Sequence, residues 1–319
     1  MRLTENRSWA ARTAWLLLGS SLLGTVGAES RDEPKLPQIV SPLPAPTSRQ
    51  AAAVVELASY RYDDLLWEND RTAHRIYGHA LEAAEPPSGS GLDSWGKNVA
   101  WPFADRQLRT GDQHAYHGEG LDFYNVGQSR GAGGLGIWYD NKLWTSRNYV
   151  RHRILQTGGN AADFVVEYAP WPVNVERKVW ETRRFTLPLG THFTRLVSTI
   201  SSDKQEPLVV GIGIGKKTTG ADGALTIDKV RGVLSWWGPE DADHGGMAIA
   251  IRVDPSMISE VRQDADNHLV LLKVTPGKPF VYYSGSAWSK GQGGLRTRAA
   301  WDSYAAGEKL DFTVPEANQ

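Results

Sequence analysis

The stretch HAYHGEGLDFY, residues 114–124, gathers two imidazoles (His114, His117), two carboxylates (Glu119, Asp122) and the phenols Tyr116 and Tyr124. Imidazole titrates near neutral pH, and an adjacent carboxylate can orient it, which is the equipment of general acid–base catalysis. The same residues would serve as a loop of satisfied polar groups if they did not converge. The pattern H-x-x-H-x-E-x-x-D supplies nitrogen and oxygen ligands but follows no zinc or calcium signature, so no metal and no cofactor is expected.

A second polar run, WENDRTAHRIYGHA at 67–80, carries Glu68, Asp70, Arg71, His74 and Arg75. In a strand, alternation places Arg71, Arg75 and Tyr77 on one face and Thr72 and His74 on the other. An arginine on the wall of a cleft suits a carboxylate-bearing ligand, which guanidinium grips with two parallel hydrogen bonds. The competing reading is an internal ion pair with Glu68 or Asp70, favoured more for Arg75 than for Arg71.

Thirteen tryptophans against seven phenylalanines is a surplus that bears on ligands. Indole faces stack on the axial C–H faces of sugar rings as well as filling cores. Trp95, Trp101 and Trp288 fall near loops or strand ends, and so does the pair Trp236-Trp237, whose side chains must point to opposite faces of a strand. Trp237 is the expected outward member, with His244 in the loop that follows. The glycines from Gly127 to Gly136, with Arg130 among them, suggest a phosphate cradle. A dinucleotide loop, however, needs a strand before and a helix after, and here a strand follows.

The elements that must position these groups are β-type. Short runs punctuated by glycine, proline, asparagine and aspartate fit strands at 73–81, 136–140, 164–169, 173–187, 192–201, 207–215, 224–237, 246–253, 268–274 and 279–286. One helix is expected in LRTRAAWDSYAAGEKL, where Leu295, Ala299, Trp301 and Tyr304 share a face and Gly307 can end it. Asp140-Asn141 supplies the turn of a hairpin. Many strands without intervening helices point to an all-β fold, a large antiparallel two-sheet sandwich with few short helices.

Residues 1–28 read as a signal peptide: Arg2, Arg7 and Arg12 precede the apolar run AWLLLGSSLLGTV, and small residues close the segment at Val26-Gly27-Ala28. The proline-rich stretch 29–50 reads as a linker, and 51–319 as a single β-sandwich domain. A periplasmic or secreted location follows, with no membrane association after cleavage. The chain has no cysteine, so disulfides and thiolate chemistry are excluded, and its formal charge of −1 argues against nucleic acid as a partner.

At YRYDDLLWENDRTAHRIYGHAL, SGLDSWGKNV, YHGEGLDFYNVGQSRGAGGLGIWYDNKLW and PFVYYSGSAWSKG the chain resembles the bacterial domain of unknown function 4861 family, from about Tyr60 to Tyr304. The resemblance implies an exported protein encoded beside enzymes that dismantle uronate polysaccharides, and a galactose-mutarotase-like supersandwich. The family's polar motif positions correspond to Glu68, Arg71, Arg75, Tyr77, His117, Glu119, Asp122, Tyr124 and Trp288.

The leading expectation is β-elimination on uronate-containing oligosaccharides. This needs a cation for the carboxylate (Arg71), a base for the C5 proton (His117, oriented by Glu119) and an acid for O4 (Tyr124). Glu119 and Asp122 would be the carboxylate pair if the reaction were glycoside hydrolysis. His74, Trp95, Trp101, His114, Arg130, Trp237, His244 and Trp288 are the expected substrate contacts. An epimerase or mutarotase, or a non-catalytic glycan-binding module, are the alternatives.

Overall fold

The computed structural model of the chain describes residues 41–314 apart from 42, 45, 47, 87 and 218–221. The expected leader and residues 29–40 of the linker lie outside that range. The chain opens with five short strands, β1 (Val54–Ala58), β2 (Asp64–Glu68), β3 (Ala73–Ile76), β4 (Asp93–Lys97) and β5 (Gly120–Leu121), with helices α1 (Leu81–Ala84) and α2 (Ala104–Leu108) between them. It continues through β6 (Ala132–Tyr139), β7 (Lys142–Trp144), β8 (Arg151–Gln156), β9 (Ala161–Asn174), β10 (Arg177–Pro188), β11 (Phe193–Ser202) and β12 (Leu208–Gly215). The last strands are β13 (Ala224–Asp228), β14 (Val233–Trp237), β15 (Met247–Val253), β16 (Ile258–Gln263), β17 (Asn267–Val274) and β18 (Pro279–Trp288), before helix α3 (Arg298–Gly307).

These strands form antiparallel sheets, as expected. An eight-stranded sheet in the order β13-β14-β15-β18-β11-β10-β9-β8 faces a five-stranded sheet in the order β16-β17-β12-β6-β7. Alternation builds the interior: on β10, Val179, Phe185 and Leu187 point inward while Trp180 and Arg184 face outward. They meet Leu135, Ile137, Val210 and Ile212 of the facing sheet. The sheets approach closely at Gly133, which has a φ of 105° and where an added Cβ would lie 2.9 Å from Cβ of Ser284. Only glycine fits there.

The sequence reading did not anticipate a third sheet, β1-β2-β3-β4-β5, which packs against the eight-stranded one. Trp67 of β2 carries that contact. Its ring lies 5.5 Å from Phe164 and 5.2 Å from Phe185, and its Nε1 donates to Oγ1 of Thr194 at 3.0 Å. The expected strand 73–81 ends at Ile76, because the backbone N–H of Gly78 donates to Oδ1 of Asp64 instead of extending the ladder. The runs 173–187 and 224–237 are hairpins rather than single strands. Their turns form where Asn174 accepts from the N–H of Glu176 and where Gly232 takes a φ of 67°.

Asp140 and Asn141, both with positive φ, make the β6–β7 turn. Helix α3 begins at Thr297, whose hydroxyl accepts from the N–H of Ala300, and buries Trp301 and Ala305 on the outer face of β14, β15 and β18. Trp236 therefore fills the sandwich interior while Trp237 lies with α3 in a second apolar cluster, so both are buried.

One ion pair sits inside the sandwich. Arg183 donates to Glu181 through Nε at 2.6 Å and Nη2 at 2.7 Å, and Ser198 Oγ donates to the same carboxylate at 2.6 Å. Glu181→Gln would leave the guanidinium without a counter-charge and lower stability by about 3–5 kcal/mol in urea titration. Replacing both partners, Glu181→Leu with Arg183→Met, should restore most of that loss.

Candidate active site

Strand register brings the site's central groups together. Arg75 and Asp93 are ladder partners on β3 and β4, so their side chains leave the same face. Arg75 donates to Oδ2 of Asp93 through Nε at 3.1 Å and Nη2 at 2.8 Å. Asp122 follows β5 directly, and its Oδ2 accepts from the same Nη2 at 2.8 Å. Asp64 on β2 lies 3.9 Å from Nη1, and the indole of Trp95 donates to Asp93 at 3.0 Å.

Three buried carboxylates thus surround one guanidinium. Burial, and then the charge of Asp93, push Asp122 well above the usual carboxylate range, while burial raises Asp64 to about 6 against the pull of Arg75. Carboxylates this close disfavour one another's ionisation, so the cluster takes up a proton more readily than isolated carboxylates do.

His114 stands over this cluster with its side chain 67% exposed. Its Nδ1 lies 2.7 Å from the backbone carbonyl of Asp122, an atom that only accepts, so Nδ1 carries the proton. Nε2 is left with its lone pair, 3.1 Å from the side-chain amide of Gln113.

A cavity of about 400 Å³ is lined by Arg75, Tyr77, Asp93, His114, Asp122 and Tyr124. It adjoins a second, about 210 Å³, which shares Arg75, Tyr77 and His114 and reaches Arg61. On the other side a third, about 200 Å³, shares Phe123 and Tyr124 and reaches Lys217, Trp236 and His244. The three adjoin through these shared residues and are together termed the cleft. Tyr124 meets Trp236 edge-on at 6.0 Å, and the Lys217 ammonium lies 5.3 Å from the Tyr124 ring. Burial keeps the Tyr124 phenol protonated and lowers Lys217 from its ordinary value.

Of the residues singled out in the sequence, His114, Asp122, Tyr124 and His244 reach this cleft. His117, Glu119 and Trp101 line a separate groove. Glu119 is gripped by Arg106 through Nε at 3.0 Å and Nη2 at 2.8 Å, and accepts from the Trp101 indole at 2.5 Å. The nitrogen Nε2 of His117 sits 3.2 Å from the carbonyl of Asp112, so Glu119 does not orient that imidazole. Nor do Glu119 and Asp122 flank a common cavity, which removes them as a hydrolytic pair. Arg71 pairs with Asp70 at 3.1 Å and does not line the cleft.

Five further expectations are corrected by burial. His74 stacks on Trp67 at 5.0 Å and contacts Oγ1 of Thr72 at 3.1 Å, and burial lowers it to about 3. It is a neutral core histidine. Arg130 is buried with Nη1 on Ser90 and Nη2 on the carbonyl of Gln128, and burial lowers it to about 10. Trp95 and Trp237 are enclosed and offer no open indole face. Trp288 is also buried, its indole donating to the carbonyl of His244 at 2.6 Å. Among the described residues no group of three or more His, Cys, Asp or Glu is placed to hold a metal ion.

Arg75 and Tyr77 share a strand face as alternation predicts; Arg75 forms the internal ion pair favoured for it, but with Asp93 and Asp122 and not with Glu68 or Asp70. Asp93 went unrecognised because its place beside Arg75 depends on ladder register, which sequence spacing does not reveal.

The family model of the domain of unknown function DUF4861 matches residues 25–315. The chain belongs to that family. An uncharacterized protein of Formosa agariphila is 31% identical over 260 residues, 76% of this chain, and the chain spans 64% of that relative's length. Among solved structures, heparinase III matches at 14% identity and a TM-score of 0.36, over 68% of this chain and 32% of that one. The 4-alpha-glucanotransferase of Thermococcus litoralis matches at 9% and 0.36, over 75% and 40%. A GH36 alpha-galactosidase of Geobacillus stearothermophilus matches at 12% and 0.32, over 73% and 40%.

His74 gives this chain's fold a pH signature. Its folded pKa is depressed, so the unfolded chain takes up a proton below about 6.5 that the folded chain refuses until about 3. Stability from this residue is lost as pH falls through that window, by at most about 1.4 kcal/mol per pH unit. In urea titrations at pH 6.5 and 5, His74→Gln should lose about 1–2 kcal/mol less on acidification than the parent protein.

Proposed function

We propose that this protein is an exported carbohydrate-active enzyme that cleaves uronate-containing oligosaccharides by β-elimination. The observation that carries this reading is the fixed imidazole. His114 presents a lone-pair nitrogen in a cavity that shares Tyr124, whose phenol burial keeps protonated, with the neighbouring cavity lined by Lys217. Lys217 takes the place the sequence reading gave to Arg71 and binds the substrate carboxylate, which makes the C5 proton acidic. The substrate displaces the Gln113 amide, and Nε2 of His114 takes that proton. The C5–H electron pair forms the C4=C5 bond as the C4–O4 bond breaks, and O4 leaves with the phenolic proton of Tyr124. Water returns the proton from His114 to the phenolate. Asp122 orients the base through its carbonyl, while its side chain and Asp93 hold Arg75 beneath it.

A second reading draws on Arg75. Its guanidinium is already committed to Asp93 and Asp122, which leaves the centre of the cleft without a free cation and favours a neutral sugar. The same imidazole and phenol would then catalyse ring opening in a mutarotase or epimerase.

The test is incubation with oligosaccharides from pectin, alginate, ulvan and glucuronan, following ultraviolet absorbance of the new double bond alongside reducing ends. Absorbance is the expected result; reducing ends alone would indicate hydrolysis, and neither signal would sink the lyase assignment. Within an active preparation His114→Ala should lower kcat by about 10²–10⁴-fold. His117→Ala should leave it unchanged, and full turnover by His114→Ala would show that the base lies elsewhere.

A further inference from the structure

The second groove holds the residues that the sequence marked most strongly and that the reaction does not use. It encloses about 500 Å³ and is lined by Arg49, Trp101, Arg106, His117 and Glu119. Its one carboxylate, Glu119, is neutralised by Arg106 and the Trp101 indole. Arg49 lies 5.1 Å over the Trp101 ring and, among the described residues, pairs with no carboxylate. The groove therefore carries a net positive charge, an aromatic wall and an exposed imidazole, and lacks an uncompensated acid that would repel an anion.

A row of rings connects it to the cleft. Phe123 lines the cleft and lies 6.1 Å from Trp288, which lies 6.0 Å from Tyr116. Tyr116 is 50% exposed yet held at its hydroxyl, which accepts from Asn98 at 2.5 Å and donates to the carbonyl of Gly118 at 3.1 Å. Gly118 is itself a wall of the groove. An exposed ring fixed at its tip and backed by a buried indole loses little freedom when a ligand stacks on it.

We propose that this groove is a second, non-catalytic subsite for a carboxylate-bearing oligosaccharide, reached from the cleft across Tyr116, with Arg49 binding the distal carboxylate. The proposal rests on the lyase reading for its ligand class. It explains the conjunction of a Glu119 neutralised by Arg106 with an Arg49 that, among the described residues, pairs with no carboxylate, which a solvated loop would not require.

The experiment compares a trimer and a decamer of the uronate polymer that the full chain turns over, or oligogalacturonates if it turns over none. Calorimetry gives binding and absorbance gives turnover. Arg49→Ala and Tyr116→Ala should each weaken decamer binding about five- to tenfold and leave trimer kcat and KM unchanged, whereas Tyr116→Phe should keep most of the decamer affinity.

A decamer that binds no better than the trimer, or variants that lose both equally, would overturn the subsite while leaving the lyase reading intact. Decamer binding that depends on Arg49 and Tyr116, in a protein without turnover, would support the subsite and remove the lyase reading.

Discussion

The candidate site is organised by a single buried guanidinium. Arg75 draws Asp64, Asp93 and Asp122 from β2, from β4 and from the residue after β5 to one point, and Trp95 closes the ring through Asp93. A buried arginine is costly to desolvate and is retained only where its donors find acceptors. Here the acceptors come from three separate segments of the third sheet, so satisfying the charge also fixes the position of the 112–124 segment. The imidazole of His114 inherits its orientation from that segment, through the carbonyl of the same Asp122 whose side chain holds Arg75.

A second buried pair fixes the other side of that segment. Lys97 donates to Glu68 at 2.5 Å and to the carbonyl of Trp101 at 2.7 Å, while the other oxygen of Glu68 accepts from the backbone N–H groups of Phe103 and Ala104 at 2.8 Å. Those N–H groups belong to the start of α2 and have no partner within the helix, so a carboxylate there satisfies donors that would otherwise be orphaned. With Lys97 and Glu68 holding one flank and Arg75 the other, the 112–124 segment lies between the cleft and the groove. Buried polar pairs set its position and leave its exposed side chains available to ligands.

Much of the sandwich was legible because alternation and turn chemistry are local. Asn141 and Thr297 act at the positions their types predict, and the Trp236-Trp237 pair splits between two apolar clusters as a strand requires. The third sheet was not legible, because its strands are short and bury charged residues such as Asp64, Glu68 and Lys97 that read as surface. The site was legible in composition and wrong in grouping. Sequence proximity suggested that His117 and Glu119 act with Tyr124, whereas the chain turns between them and points the first two into the groove. Asp93 and Arg75 lie far apart in sequence and meet only through the β3–β4 register.

The acidity of the cleft floor bears on the sign of the ligand. If Asp64, Asp93 and Asp122 were all ionised, Arg75 would leave an excess of two negative charges beneath a substrate carboxylate. Each would repel it by up to about 4 kcal/mol at 4 Å for an effective dielectric constant near 20. Burial removes part of that objection. It pushes Asp122 well above the usual carboxylate range and raises Asp64 to about 6, so the floor gives up negative charge at a higher pH than three ordinary carboxylates would. The glutamate–arginine pair inside the sandwich has no such surplus, since one carboxylate meets one guanidinium and is completed by Ser198. The difference separates a pair that only stabilises the fold from a cluster whose surplus carboxylates burial makes less acidic, and it eases the approach of an anionic sugar to a cleft whose sequence reads as acidic.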